Sequence, residues 1–172
     1  MIEMKVAGIA LDALSRNPIV LLKDTTERRA IPIWIGQAEA KAIISALEGE
    51  DLPRPLTHDL MLNGWKLWDV TLKRVVIHSL HDNVFHAVLY LYRGDELRQL
   101  DARPSDAIAL ALKADLPIWV MEEVVANASI PVDREADEAE LEAFREFVAQ
   151  LRPEDFVGRH GHSEGQESSD RG

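Results

Sequence analysis

Apolar positions predict three strands over the first 35 residues of the chain. Met1–Leu11 reads as a strand of mixed periodicity, Asn17-Pro18 as a turn and Pro18–Leu22 as a second apolar run. The polar stretch Asp24–Arg29 makes a hairpin turn into a third strand, Ala30–Ile35. Pro32 has no N–H to donate, so this strand lies at a sheet edge or Pro32 sits where no ladder bond is required. The period then becomes helical over Glu39–Leu47, with Ala40, Ile43, Ile44 and Leu47 on one face. Glu39 falls in the first turn, where free amides favour a carboxylate, and Gly49 is the stop.

Leu52–Leu56 is a stiff proline linker. Thr57 reads as an N-cap, with Asp59 in the first turn of a helix ending near Gly64, and Trp65–Trp68 leads onward. Asp69–Leu80 and Val84–Tyr92 are strands joined at His81-Asp82-Asn83; both faces of the second are largely apolar, as in a central or interface strand. Gly94-Asp95 turns into a short strand, Glu96–Leu100. Pro104 opens a helix through Ala114, with Asp106 in its first turn. Leu116–Val120 is a short strand, Glu122–Asn127 a helical turn ended by Ile130-Pro131, and Glu135–Leu151 a last helix. Gly158–Gly172 has almost no apolar residue and is predicted to be disordered.

Strand, strand, strand, helix thus occurs twice, near residues 1–48 and 69–114, which suggests a duplicated βββα unit. The expected class is α+β, with a mixed or antiparallel sheet, two main helices and a C-terminal helix. Residues 1–132 form the domain, 133–157 a helical extension and 158–172 a polar, acidic tail.

Composition narrows the chemistry. With 172 residues, 47% of them hydrophobic, the chain can bury a substantial core. It has no cysteine, which excludes disulfides, thiolate catalysis and Cys-ligated zinc or iron–sulfur clusters. Its start shows no signal peptide and no apolar run reaches the ~20 residues of a membrane span, so a soluble cytoplasmic protein without a membrane partner is expected. The net charge is −11, unevenly spread: residues 1–132 carry 14 basic and 18 acidic side chains, residues 133–172 carry 5 and 12. A globally basic nucleic-acid binder is disfavoured, while a local basic site on the first 132 residues stays open.

No phosphate-binding glycine loop, His-Glu-x-x-His or Gly-x-Ser-x-Gly is present. Three short clusters hold the candidate residues. In Gly36-Gln37-Ala38-Glu39, the carboxylate is either a magnesium ligand or base, or an ordinary helix-start acid. In Arg54-Pro55-Leu56-Thr57-His58-Asp59, Arg54 could clamp a phosphate, His58 transfer a proton and Asp59 bind metal or orient His58, although adjacent helical side chains do not face each other. The plainer account is a linker, a cap and a dipole-matched acid. In Asp101-Ala102-Arg103-Pro104-Ser105-Asp106, Asp101 and Asp106 could share a divalent ion while Arg103 holds a phosphate. The rival account has Ser105 and Asp106 bonding first-turn amides and Arg103 paired to Asp101. His78, His81 and His86 flank a hairpin and raise a further metal hypothesis. Trp34, Trp65, Trp68 and Trp119 read as core or interface packing, with stacking on a base as the alternative for one of them.

Taken together, Ile31–Gly36 with Glu39-Ala40, Arg54–Leu60, and Asp101–Ala111 closely resemble the bifunctional nuclease domain family, as do Phe85 and Ala87, and Pro117-Ile118 followed by Glu122-Glu123-Val124. The resemblance covers about residues 1–130. It implies an α+β fold, frequent oligomers and action on RNA and DNA, and it carries motif membership to Glu39, Arg54, His58, Asp59, Asp101, Arg103 and Asp106. Some members bear a further C-terminal helical module; nothing in Arg134–Leu151 identifies it as that module.

The expected function is therefore a nuclease hydrolysing phosphodiester bonds in RNA or DNA. Glu39, Asp59, Asp101 and Asp106 would hold Mg²⁺ or Mn²⁺ to activate water. Arg54, Arg103 and Ser105 would bind the substrate, and His58 would protonate the leaving oxygen. A homodimer or larger homo-oligomer is expected. The alternative is a non-catalytic domain that binds an anion or a protein through the same loops.

Overall fold

The computed structural model describes residues 1–131 apart from 27, 51 and 52. The helix expected at 133–157 and the tail at 158–172 lie outside the described residues. In chain order the elements are β1 (Ile2–Leu11), β2 (Pro18–Asp24), β3 (Arg29–Trp34), α1 (Gln37–Glu48), α2 (Thr57–Leu67), β4 (Val70–His81), β5 (Val84–Arg93), β6 (Glu96–Ala102), α3 (Pro104–Lys113), β7 (Ile118–Val120), α4 (Glu122–Ala128) and β8 (Ile130–Pro131).

All eight strands join one sheet in the order β6-β5-β4-β7-β1-β2-β3-β8. Two antiparallel meanders, β1-β2-β3 and β4-β5-β6, flank β7, and a helix follows each meander. β7 runs antiparallel to β1 and parallel to β4, which makes the sheet mixed and the class α+β. None of the described helices is long and apolar enough to cross a membrane.

Local chemistry explains the turns. Asp82 and Asn83 sit at φ 49° and 63° between β4 and β5. A two-residue hairpin needs this left-handed pair, and Asp and Asn tolerate it because their short polar side chains bond locally. Pro32 faces Leu21 of β2, and among the described residues β8 pairs with β3 at Arg29 and Ala30, so Pro32 lies past that pairing.

Burial is concentrated on the face that the helices cover. Helix α3 is the centre of the core: Ala107, Ile108, Ala109 and Ala111 are wholly buried, with Leu110 nearly so. It packs on α1, α2, β4 and β5. Small alanines on this helix allow those neighbours to approach closely. Helix α2 differs, since none of its residues is buried. Leu62 and Trp65 lean on the core while Leu60, Leu67 and Trp68 stay exposed.

Several boundaries depart from the sequence reading. The four helices among the described residues fall where helical segments are expected, α4 running one residue beyond the helical turn Glu122–Asn127. Leu56, and not Thr57, is the N-cap of α2: the Asp59 carboxylate accepts the Leu56 N–H at 2.9 Å. This helix also continues through Gly64 to Leu67, because Trp65 gains apolar contact that offsets the cost of roughly 1 kcal/mol for a helical glycine. Strand β6 runs to Ala102 instead of stopping at Leu100, a shift that decides where Asp101 points.

Candidate active site at three helix starts

Helices α1, α2 and α3 each place an acid at their third position: Glu39, Asp59 and Asp106. Unpaired amides at a helix start favour a carboxylate there. Asp59 accepts the backbone N–H of its cap residue Leu56. Glu39 and Asp106 instead meet at the side chain of Arg103, the N-cap residue of α3.

Arg103 holds both. Its Nε donates to Asp106 Oδ2 at 2.7 Å and its Nη2 to Asp106 Oδ1 at 3.2 Å, a two-pronged pairing. Nη1 donates to Glu39 Oε1 at 2.9 Å. From α2, His58 Nε2 lies 3.1 Å from the same Asp106 Oδ1. Three helices thus join in one chain, Glu39–Arg103–Asp106–His58. His58 and Asp106 are 12% and 29% exposed, while Arg103 is open at 65%. A Cβ at residue 36 would collide with the Glu39 carboxylate, so Gly36 leaves room for that side chain to fold back over the helix start.

The neighbouring Asp59 has another partner, Lys113 in the last turn of α3, at 2.8 Å. Lys113 is absent from the sequence-based candidates. Its only sequence signal is a cation in a final helical turn, which ordinary dipole matching already explains.

Electrostatics follow from these contacts. Burial acts to raise the Asp106 carboxyl, but the hydrogen bonds and charge of Arg103, joined by His58, hold it below the usual carboxylate range. Asp59 is likewise pushed up by burial and drawn further down by Lys113 and the Leu56 amide. Hydrogen bonding and charge from Asp106 raise Arg103 against burial, with Glu39 adding to the rise.

Both acids are depressed in the folded chain, so their pairing contributes stability that is fully present above the unfolded carboxylate range, near 4. It is lost as pH falls through their lower folded values. Acid titration of unfolding should therefore show stability declining below about pH 5. In Asp59→Asn/Asp106→Asn that decline should be shallower. An identical slope in chemical denaturation from pH 6 to 2 would refute the assignment.

The other candidate residues are not drawn into the cluster. Asp101 faces Val88 across β5–β6, and its neighbour Ala102 faces the wholly buried Ala87. Strand alternation consequently turns Asp101 to the face opposite the helices, where it is exposed. Asp101 and Asp106 therefore do not share a site, and Arg103 pairs with Asp106 and Glu39 rather than Asp101. Arg54 is exposed in the linker before α2. Ser105 is buried beside the cluster, at 7% exposure.

Among the described residues, no three His, Asp or Glu side chains converge so as to hold a metal ion. Asp59 is bound by Lys113, Asp101 faces away, and Arg103 stands between Glu39 and Asp106. The four acids expected as ligands do not form a joint cage. At the hairpin, the His86 ring centroid lies 6.3 Å from that of His78 and 6.0 Å from that of His81.

Two cavities border the cluster. One, of about 580 Å³, is lined by Glu39, Ser45, Thr57, His58, Arg103 and Asp106. The other, of about 330 Å³, lies toward the β4–β5 hairpin, and Glu39 and Arg103 line it as well. A pocketed ion network with an open guanidinium and a carboxylate-bound imidazole can hold an anion and move a proton.

Comparison with known proteins gives this geometry a family. The bifunctional nuclease domain model matches residues 20–133. An uncharacterized protein found in two strains of Mycobacterium tuberculosis is 38% identical over 162 residues, covering 90% of this chain and 97% of that protein. Bifunctional nuclease 1 of Oryza sativa and the bifunctional nuclease of Oryza minuta are 24% identical over 124 residues, which is 70% of this chain and 38% of theirs. The matched span includes every residue of the Glu39–Arg103–Asp106–His58 network, and the chain belongs to the bifunctional nuclease domain family.

Proposed function

We propose that the protein hydrolyses phosphodiester bonds of RNA or DNA at this network. The observation that carries the proposal is the assembly of Glu39, His58, Arg103 and Asp106, from three helices, on the wall of one cavity. Family membership supports the reaction class.

Each residue has a distinct part. With its proton on Nε2, His58 donates to Asp106 and offers Nδ1 to take the proton of the attacking oxygen. Asp106 orients the ring and stabilises the imidazolium that results, which returns the proton to the departing oxygen as the P–O bond breaks. Arg103 opposes the charge that builds on the phosphoryl oxygens. Glu39 makes a single hydrogen bond to Arg103 and Asp106 makes two. A phosphate can displace Glu39 while the Asp106 pairing keeps the guanidinium aimed.

A second reading rests on a different observation. Three of the guanidinium's hydrogen bonds already go to carboxylates. On that reading the network ties the three helices together, and the domain is a non-catalytic binding module.

Labelled single-stranded RNA and DNA, incubated with purified full-length protein, separate the two. Cleavage should survive EDTA, and His58→Gln should lower its rate roughly 100-fold while thermal unfolding shows the variant still folded at the assay temperature. Cleavage that needs Mg²⁺ or Mn²⁺ would instead assign Glu39 and Asp106 to the ion. No cleavage under any of these conditions, or equal rates for His58→Gln and wild type, would favour the binding reading.

A further inference from the structure

The smaller cavity, which Glu39 and Arg103 also line, has a mixed lining: Trp34 from the end of β3, Val84 and Phe85 from the start of β5, and Ser105 beside Arg103 in sequence. Trp34 and Val84 are each 55% exposed. The indole is nonetheless held: its Nε1 donates to Asp12 Oδ2 at 3.2 Å. Asp12 is fixed in turn, its other oxygen accepting the amides of Leu14 at 3.0 Å and Ser15 at 2.7 Å. An aromatic plane is thus anchored at its polar edge and left half open beside a guanidinium.

We infer that this cleft receives an unpaired nucleobase on Trp34 while Arg103 meets the adjoining phosphate, so that the substrate is single-stranded or locally unpaired nucleic acid. The inference rests on the nuclease reading above. Stacking on an aromatic side chain needs a base whose faces are free, which a paired base inside a duplex does not offer. A cavity of about 330 Å³ is at the small end of ligand sites and suits one nucleotide unit, not a base pair. Every base has a π-face, so a stacking wall accepts RNA and DNA alike. Arg103 borders both cavities, so a phosphate held there with its base on Trp34 lies beside His58 and Asp106.

The test is cleavage kinetics of the full chain on three labelled substrates: an oligonucleotide, the same oligonucleotide with abasic positions, and its duplex. Trp34→Ala should raise KM for the single strand roughly tenfold or more and leave kcat within about twofold. Trp34→Leu, which keeps apolar bulk without a π-face, should behave like Trp34→Ala, and Trp34→Phe should restore most of the loss. The abasic strand should not distinguish these variants from wild type. An unchanged KM in Trp34→Ala, full rescue by Trp34→Leu, or equal kcat/KM on duplex and single strand would overturn the inference with the nuclease reading intact. If wild type cleaves nothing, the nuclease reading fails and anisotropy of the same strands decides: binding weakened by Trp34→Ala and Trp34→Leu retains the stacking site, and binding indifferent to them, or absent, ends it.

Discussion

Asp106→Asn is expected to slow cleavage by roughly 10²- to 10³-fold, the largest loss from any single change in the network. The reason is its position as the shared node. Asp106 Oδ2 takes the Nε of Arg103, and Oδ1 takes both Nη2 and His58. An asparagine has one oxygen and one NH₂ group at those two places, so whichever way it turns, an NH₂ faces a donor. Arg103 loses one prong of its support either way, and with the NH₂ at the Oδ1 position His58 loses its acceptor as well. Glu39→Gln touches only Nη1 and should cost less, on the order of tenfold. Single-turnover cleavage of labelled RNA measures both, with thermal unfolding to confirm the fold. An Asp106→Asn protein cleaving at the wild-type rate would remove the network from the chemistry.

Ile108→Ala should give the largest loss of stability, about 3–4 kcal/mol within the usual range for such truncations. Ile108 is wholly buried, and Ala111, one turn on along the same face, is too short to collapse into the space left behind. Such a loss is a large part of the 5–15 kcal/mol that holds a typical domain. It should appear as a lower urea midpoint with an unchanged slope. The contrasting change is Leu67→Ala on α2, where the side chain is 83% exposed and the effect should stay within about 0.5 kcal/mol. Equal losses at the two positions would contradict the placement of α3 at the centre.

What the sequence revealed about the fold came from local patterns. Alternation in Phe85–Leu91, the Asp82-Asn83 turn, Pro104 at a helix start and Gly49 at a helix end all act within a few residues. They placed most elements to within two or three positions. What pattern could not supply was which segments meet. His58 has Asp59 beside it in sequence, yet pairs with Asp106, 48 residues away. Asp59 pairs with Lys113, a residue not among the sequence candidates. Asp101 shows how a small boundary change decides a site. Two more residues of β6 turn it from a junction residue into a strand residue on the opposite face. Trp34 carried two readings; it is half exposed and lines a cavity, which sequence pattern could not show.

β7 occupies the middle of the sheet although it comes near the end of the domain. It places Ile2 against Val120 and Val75 against Ile118, joining the two meanders. During synthesis each meander can form its own hairpins, but neither can be joined to the other until residue 120 has left the ribosome. This raises the contact order, so the last step of folding should be slow and cooperative. Until then both meanders expose an unpaired inner strand, β1 in one and β4 in the other. A truncation before Ile118 should therefore yield two sticky half-sheets and not a smaller working domain, prone to aggregate on the strands that β7 normally separates.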